Sequence, residues 1–248
     1  MRDILVSIIT VCFNSEKTIE KTIESVLYQT YQNLEYIIVD GKSTDHTLEI
    51  VEKYRPQFQG RMKVISESDQ GIYDAMNKGI RFASGELIGI INSDDHYELD
   101  AVEQIVSAMT QDPYQIIYGM VREVREDVEI RISMPKHENL TEEMIAHPTC
   151  FVTAKVYKDF GMFDLKYKSS ADHDFMLRMR KHQEIVFVPV YKILATFAYG
   201  TGMSAQSSSV IEAIGMLTTH GIISKKRYYM ILVSYKIKKV LKALFLRE

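Results

Sequence analysis

The chain has 248 residues, enough for one sizeable domain or two small ones. Its hydrophobic content of 46% and charged content of 25% are ordinary for a globular protein. The formal charge of −3 is unevenly spread, because the eight basic side chains and one acid of residues 225–248 give +7 and leave −10 for the rest. An acidic body with a basic end argues against nucleic acid as the main partner, and it favours contact between that end and an anionic surface.

The sequence also carries information about the compartment. Cys12 and Cys150 are far apart and match no metal-ligand spacing, which fits a reducing environment. No stretch approaches the roughly 20 apolar residues that a membrane span requires. Residues 4–13 have a single Arg2 before them and no cleavage site after them, so they indicate a strand rather than a signal segment. We therefore expect a cytoplasmic protein.

Buried strands and amphipathic helices alternate through the first 95 residues. The pattern predicts strands over residues 4–13, 36–39, 63–65 and 87–91. Between them it predicts helices that begin at the caps Asn14-Ser15 and Ser43-Thr44-Asp45, and a third over residues 72–83. This β-α-β-α-β-α-β order specifies an α/β fold with a parallel sheet and right-handed crossovers.

The alternation weakens after residue 96. The pattern predicts a helix over 101–109, a β pair over 115–121 and 128–132, a strand over 149–153, a helix from Ser169, and strands over 185–188 and 193–197. After about residue 207 the chain is helical. We expect one domain over 1–206, with halves 1–95 and 96–206, followed by a helical tail over 207–248.

Six polar side chains fall just after strands or at the start of a helix: Asp40, Asp69, Asn92, Asp94, Asp95 and Asp172. Each has a local explanation, such as a turn with Gly41 for Asp40, a solvated loop for Asp69, or a capping box with Ser169 for Asp172. The pair after the fourth strand either caps the next helix or holds a divalent cation and its diphosphate, and that stretch alone favours neither. One shared cleft explains the whole set better than separate local roles do.

The first strand is followed by Thr10-Val11-Cys12-Phe13-Asn14-Ser15, which is neither a dinucleotide-binding glycine turn nor a phosphate-binding P-loop. Nucleotide binding would therefore use side chains and a metal.

Several motifs, in order, resemble the inverting glycosyltransferases of family 2. The matching stretches are Val6–Asn14, Val39-Asp40-Gly41-Lys42-Ser43-Thr44-Asp45-His46-Thr47, Glu67–Gly79, Ala83–Glu86, Asn92-Ser93-Asp94-Asp95, His147-Pro148, Gly161–Asp164 and Ala171–Phe175. They cover residues 4 to about 180. The resemblance implies the GT-A fold, a Rossmann-like and mainly parallel mixed sheet flanked by helices. Asn-Ser-Asp-Asp and Ala-Asp-His-Asp-Phe are similar to the bacterial exopolysaccharide and lipopolysaccharide branch.

The resemblance also implies the chemistry. It implies a nucleotide-sugar donor, usually a uridine diphosphate sugar, with Mg²⁺ or Mn²⁺, and transfer of a hexosyl or N-acetylhexosaminyl group to a glycan or lipid-linked hydroxyl in cell-surface polysaccharide synthesis. The residues implied are Thr10 and Asp40 at the nucleobase, Asp69 in the nucleoside pocket, Asn92-Ser93-Asp94 as the D-x-D motif with Asp94 as metal ligand, Asp95 in support, and Asp172 as catalytic base. The family more often has aspartate at position 92, so Asn92 predicts weaker metal affinity.

Two assignments have alternatives. His147 competes with Asp172 for the role of base, although a structural histidine before a proline is the simpler explanation. The basic residues of 228–248 fit a helix on the anionic inner face of the plasma membrane, but a helix docked on its own domain fits equally.

Two other functions compete with glycosyl transfer. A non-catalytic glycan-binding module would be expected to lack Asp94 or Asp172. A sugar-phosphate nucleotidyltransferase would need a glycine- and arginine-rich loop at Asn14-Ser15.

Overall fold

The computed structural model describes residues 3–200 and 207–245, with the backbone alone for 207–208 and 236–245. Its described part contains one sheet of nine strands, ordered β3-β2-β1-β4-β8-β6-β9-β5, with β7 paired to β6. The strands are β1 (Val6–Cys12), β2 (Leu34–Asp40), β3 (Met62–Ser66), β4 (Leu87–Asn92), β5 (His96–Tyr97), β6 (Gln115–Arg125), β7 (Val128–Ser133), β8 (Phe151–Thr153) and β9 (Val186–Ala198). The first four strands are parallel, as the sequence predicts.

Helices cover both faces of the sheet. They are α1 (Ile19–Leu27), α2 (Thr47–Tyr54), α3 (Ile72–Phe82), α4 (Ala101–Ala108), α5 (Ala154–Phe160), α6 (Ala171–Met179), α7 (Ser207–Thr219) and α8 (Lys225–Phe245). Apolar side chains of α1, α2 and α4 belong to one buried cluster, and those of α3, α5, α6 and α7 belong to a second. Every residue of β1 and β2 is buried, which explains why most of their side chains are apolar.

The second half departs from the predicted elements. β5 and α5 are additional elements. The two strands predicted over 185–188 and 193–197 form one strand, β9, which runs parallel to β6 with a bulge that skips Tyr191 and Lys192. Gly119 faces that bulge, where an added Cβ would lie 2.5 Å from a methyl carbon of Leu194. The polar run at 191–192 therefore marks a bulge and not a loop.

The C-terminal helices are attached to the domain. Met216 of α7 is fully buried, and Leu217 and Ile222 pack against the same apolar cluster as α3 and α6. Tyr228 of α8 approaches Gly215 of α7, where an added Cβ would lie 3.6 Å from the tyrosine hydroxyl. The predicted division at 206/207 stays a prediction, and α7 at least packs as part of the domain. In the described ranges, no helix combines the length and the apolar character needed to cross a membrane.

Candidate active site

The parallel strands end at a common edge. Cys12 at the end of β1 pairs with Asp40 at the end of β2, and Asp40 pairs with Ser66 at the end of β3. On the other side of β1, Val11 pairs with Asn92 at the end of β4. The loops that follow these strands therefore surround one region at the carboxyl edge, where open α/β sheets bind their ligands.

The carboxylate of Asp40 holds the loop that follows β2. Asp40 is fully buried, and it accepts hydrogen bonds from the Ser66 hydroxyl at 2.6 Å and from the backbone N–H groups of Lys42 at 3.1 Å and Ser43 at 3.2 Å. Hydrogen bonds that a carboxylate accepts from the backbone N–H groups two and three residues later fix a turn. The contact between Asp40 and a nucleobase stays a prediction.

Asp69, Gly41 and Phe13 come together in front of these strand ends. Asp69 Oδ1 accepts a hydrogen bond from the Gly71 N–H at 2.8 Å. Asp69 Oδ2 packs closely against Gly41, because a Cβ added to that glycine would lie 2.6 Å from this oxygen. The Phe13 ring packs against the same glycine. Because Phe13 is 62% exposed, this arrangement leaves an aromatic face and a carboxylate side by side at the edge of the sheet.

Thr10 lies within β1, two residues before its end, and its contact with the nucleobase stays a prediction. Its side chain is fully buried, and its hydroxyl accepts a hydrogen bond from the Tyr36 hydroxyl at 2.9 Å. Thr10 thereby satisfies the polar end of a large buried tyrosine.

The residues after β4 do not cap the next helix. α4 begins at Ala101 with Asp100 at its N-cap, and β5 lies between that helix and Asp95. The helix-cap explanation for Asp94 and Asp95 is therefore wrong. The Ser93 hydroxyl lies 2.8 Å from the Ser15 hydroxyl, which ties this turn to the loop after β1.

Asp94 and Asp95 have different environments. Asp95 is 1% exposed, and its carboxylate accepts hydrogen bonds from the Ala198 N–H at 3.0 Å and the Asn92 side-chain amide at 3.4 Å. Burial, and then the negative charge of Asp94, raise the pKa of Asp95 well above its ordinary value. Asp94 is half-buried, which makes it the more accessible of the two carboxylates.

The residues present fit a metal only when a substrate supplies further ligands. In the described residues, no three His, Cys, Asp or Glu side chains are grouped so that they could hold an ion. Asn92 Oδ1 is buried, and within the described part it has no hydrogen-bond partner. Mg²⁺ is often bound through one or two carboxylates plus substrate phosphates and water. Asp94, with Asn92 Oδ1 nearby in the chain, matches that type of site.

Asp172 lies in the first turn of α6 and is held by α3. Its Oδ1 accepts hydrogen bonds from the Tyr73 hydroxyl at 2.8 Å and from the His173 N–H at 2.9 Å. Burial, and then the charge of Asp172, raise the pKa of Tyr73 well above its ordinary value, so the phenol remains the donor. The predicted capping box is absent, because the Ser169 hydroxyl donates to Glu212 instead.

Besides Phe13, two residues near Asp172 were not predicted from the sequence. Tyr73 lies inside a family motif, but nothing in the sequence pairs it with a residue 99 positions away. Glu212 gave no signal at all, because it is one acid in a weakly patterned helix.

His147 has the features of a structural side chain. It is 7% exposed, and both ring nitrogens are buried without a hydrogen-bond partner among the described residues. Burial lowers the pKa of His147, while the negative charge of Asp172 opposes that shift. The ring packs edge-on against Phe163 at 5.6 Å between centroids. A base must reach its substrate, and nitrogens without exposed surface favour Asp172 for that role.

Comparison with known families decides the relationship. The family model described as glycosyl transferase family 2 matches residues 7–153, more than half of the chain. The chain belongs to glycosyl transferase family 2. The family membership inferred from the motifs is confirmed.

The similarity extends beyond the matched segment. This glycosyltransferase is 26% identical over 245 residues to a PGL/p-HBAD biosynthesis glycosyltransferase of Mycobacterium bovis, an alignment that covers 97% of this chain and 94% of that protein.

Solved structures share the fold of this glycosyltransferase. S. aureus TarS 1–349 in complex with UDP-GlcNAc gives a TM-score of 0.69 at 21% identity, over 87% of this chain and 66% of that chain. The mannosyltransferase PcManGT of Pyrobaculum calidifontis, in complex with GDP-Man and Mn²⁺, gives 0.64 at 17% identity, over 88% and 63%. The chain thus spans about two thirds of each of these structures. At these identities the likeness shows the fold alone, and the predicted GT-A fold is confirmed.

Proposed function

We propose that this glycosyltransferase moves a hexosyl or N-acetylhexosaminyl group, with inversion, from a uridine diphosphate sugar to a hydroxyl of a glycan or lipid-linked acceptor in cell-surface polysaccharide synthesis. The observation that carries the proposal is the 2.8 Å hydrogen bond between Tyr73 and Asp172. Tyr73 follows Asp69 by four residues, so this bond ties the candidate base to the loop at the candidate nucleoside pocket.

The donor half of the proposal rests on Phe13 and Asp69. An exposed aromatic ring can stack on a nucleobase, and a half-buried carboxylate beside it can accept hydrogen bonds from the base or the ribose. Asp40 shapes the loop against which both residues lie. The UDP-GlcNAc complex of TarS supports a uridine nucleotide as the donor class.

The diphosphate half of the proposal rests on Asp94, with Asn92 in support. These residues would hold Mg²⁺ or Mn²⁺ together with the diphosphate oxygens, and the Mn²⁺ complex of PcManGT supports that cofactor class. When bound, the cation would stabilise the negative charge that develops on the leaving diphosphate. The buried carboxyl of Asp95 fixes the position of the turn through Ala198.

The reaction needs one base on the acceptor side. The Asp172 carboxylate takes the proton of the acceptor hydroxyl as that oxygen forms a bond to the anomeric carbon. The bond from the anomeric carbon to the diphosphate oxygen breaks, and its electron pair leaves with the diphosphate. Attack from the face opposite the leaving group inverts the configuration. Tyr73 orients the carboxylate during this step.

The acceptor is proposed to lie at an anionic membrane surface, at the inner face of the plasma membrane. On α8, the side chains of Tyr229, Met230 and Val233 are exposed, next to the exposed cations of Lys225–Arg227. Apolar and basic side chains along one helix are typical of interfacial binding. The lysines of 236–242, which extend the charge in sequence, have no described side chains, and Arg247 lies outside the described residues.

The proposal is tested by the thermal unfolding of the protein with uridine diphosphate, with and without Mn²⁺, and by a transfer assay over a panel of nucleotide sugars. We expect stabilisation by the nucleotide that increases with Mn²⁺, and turnover with at least one uridine diphosphate sugar. Asp94→Asn should remove the effect of Mn²⁺. Stabilisation that ignores Mn²⁺, or turnover with other nucleotide sugars alone, would contradict it.

A further inference from the structure

We propose that helix α7 is part of the catalytic apparatus, in which Glu212 positions the base Asp172 by holding the segment that enters α6. The inference rests on the proposed role of Asp172. The segment consists of residues 168–170, directly before α6, and it has no cap from its own side chains: the N-cap Ser170 makes no side-chain capping hydrogen bond.

Glu212 supplies the missing cap from another helix. Its two carboxylate oxygens accept hydrogen bonds from the backbone N–H groups of Lys168 at 2.8 Å and Ser169 at 2.6 Å, and from the Ser169 hydroxyl at 2.9 Å. Burial raises the pKa of Glu212, but these hydrogen bonds outweigh it and lower the pKa overall, so the group is charged. A fixed negative charge before a helix N-terminus also stabilises the helix dipole.

A second contact joins α6 to the end of α7. His220, one residue beyond α7, lies with Nε2 2.8 Å from Asp174 Oδ1, and Arg178 donates from Nε to Asp174 Oδ2 at 2.8 Å. Glu212, Met216 and His220 are spaced i, i+4 and i+8, so they lie on one face of the helical segment. Met216 is fully buried between the two polar contacts.

These contacts restrain the base itself. Asp172 lies between the segment that Glu212 holds and Asp174, which His220 contacts. Because α7 holds α6 at two points, α6 can neither shift nor rotate easily relative to α7. The two contacts therefore help to fix the direction in which the Asp172 side chain points. Lys168 also donates from Nζ to the Gln70 carbonyl at 3.2 Å, so the same segment contacts the loop that carries Asp69.

The test compares Glu212→Gln with wild type and with Glu52→Gln. Glu52 is an exposed acid on α2 that pairs with Arg55, so its variant controls for the loss of one surface charge. At a temperature where all proteins are folded, we expect Glu212→Gln to lower kcat by about 10- to 100-fold, the scale on which misplaced catalytic groups lose rate. The KM for the uridine diphosphate sugar that the panel identifies as donor and the affinity for uridine diphosphate should both stay within about twofold of wild type, because no donor contact changes.

Amide hydrogen exchange provides a readout that needs no turnover. Glu212→Gln should increase exchange at residues 168–176 and leave β1 unchanged, whereas unchanged exchange at 168–176 would overturn the proposal whatever the kinetics. Asp172→Asn, assayed in parallel, separates the two ideas. If Asp172→Asn retains turnover, the proposed role of Asp172 as base fails, and the positioning role of Glu212 fails with it. If Asp172→Asn is inactive while Glu212→Gln matches wild type in kcat, only the positioning role of Glu212 fails.

Discussion

Replacement of Asp172 by asparagine removes the proposed base with little change in structure. Among the described residues, both hydrogen bonds to the carboxylate end on Oδ1, from Tyr73 and from the His173 N–H. The asparagine carbonyl can accept both bonds, so the amide nitrogen replaces only Oδ2. A charged acceptor becomes a neutral one, which costs about 1 kcal/mol, or a fall in Tm of about 2–4 °C for a protein of this size.

The effect on rate should be far larger. A positioned general base contributes about 100- to 10,000-fold, and each tenfold step corresponds to about 1.4 kcal/mol of barrier. We therefore expect kcat of Asp172→Asn to fall at least about 100-fold. Its affinity for uridine diphosphate with Mn²⁺, measured by calorimetry, should be close to that of wild type, because Phe13, Asp69 and Asp94 are unchanged.

A matched control exists in the same chain. Tyr114, just before β6, donates from its hydroxyl to Asp159 of α5 at 2.9 Å, a tyrosine–aspartate contact like that of Tyr73 and Asp172 but away from the carboxyl edge. Asp159→Asn should keep normal turnover. The reasoning is refuted if Asp172→Asn turns over within about threefold of wild type, or if both aspartate variants lose the same activity.

Three further outcomes are expected. Gly41→Ala should weaken uridine diphosphate binding, because Asp69 Oδ2 must retreat from 2.6 Å to an ordinary contact of 3.4 Å; unchanged affinity in calorimetry would argue against the Phe13–Asp69 pocket. In wild type, the unfolding free energy should fall as the pH drops below about 6.5, because the lowered pKa of His147 makes the unfolded chain bind this proton more readily than the folded one. His147→Gln should make that fall smaller. Unfolding free energies from urea titrations between pH 5 and 7.5 that depend on pH equally in both proteins would contradict this. Deletion of 228–248 should weaken binding to anionic vesicles by about 1 kcal/mol of binding free energy for each basic residue lost, and it should not change binding to neutral vesicles. Unchanged sedimentation of the protein with anionic vesicles refutes the membrane role.

The first half of the fold could be predicted because β1, β2 and β4 are buried, mostly apolar runs bounded by polar residues. The residue at which α1 begins could not be predicted from the sequence. Asn14 and Ser15 suggested a helix cap, yet the helix begins at Ile19. Asn14 instead has a positive φ of 50° and accepts a hydrogen bond from the Thr44 N–H, while the Ser15 N–H donates to Thr47. The two loops use these polar groups on each other, a choice that depends on tertiary structure.

Part of the candidate site could be predicted from the sequence and part could not. The side chains at strand ends, Asp40, Asp69 and Asp94, could be placed from the sequence, because parallel strands end at one edge. The acceptor side depends on pairs that are distant in sequence. Tyr73 and Asp172 are 99 residues apart, and Ser169 and Glu212 are 43 apart. Neither a local spacing nor a helical period predicts such contacts, so the role of α7 needed the structure.

The turn after β4 contains one accessible carboxylate, that of Asp94, where the motif suggests several. Asn92 carries no charge, and the raised pKa of Asp95, caused by burial and by Asp94, favours its neutral form. If a hard cation binds at this turn as proposed, the protein alone offers it little more than Asp94, and the remaining oxygens would come from the diphosphate and water. Cation and nucleotide are then each other's ligands. By linkage, Mn²⁺ must raise the affinity for uridine diphosphate by the same factor as the nucleotide raises the affinity for Mn²⁺. Such coupled binding would load the metal together with the donor and release it with the diphosphate product.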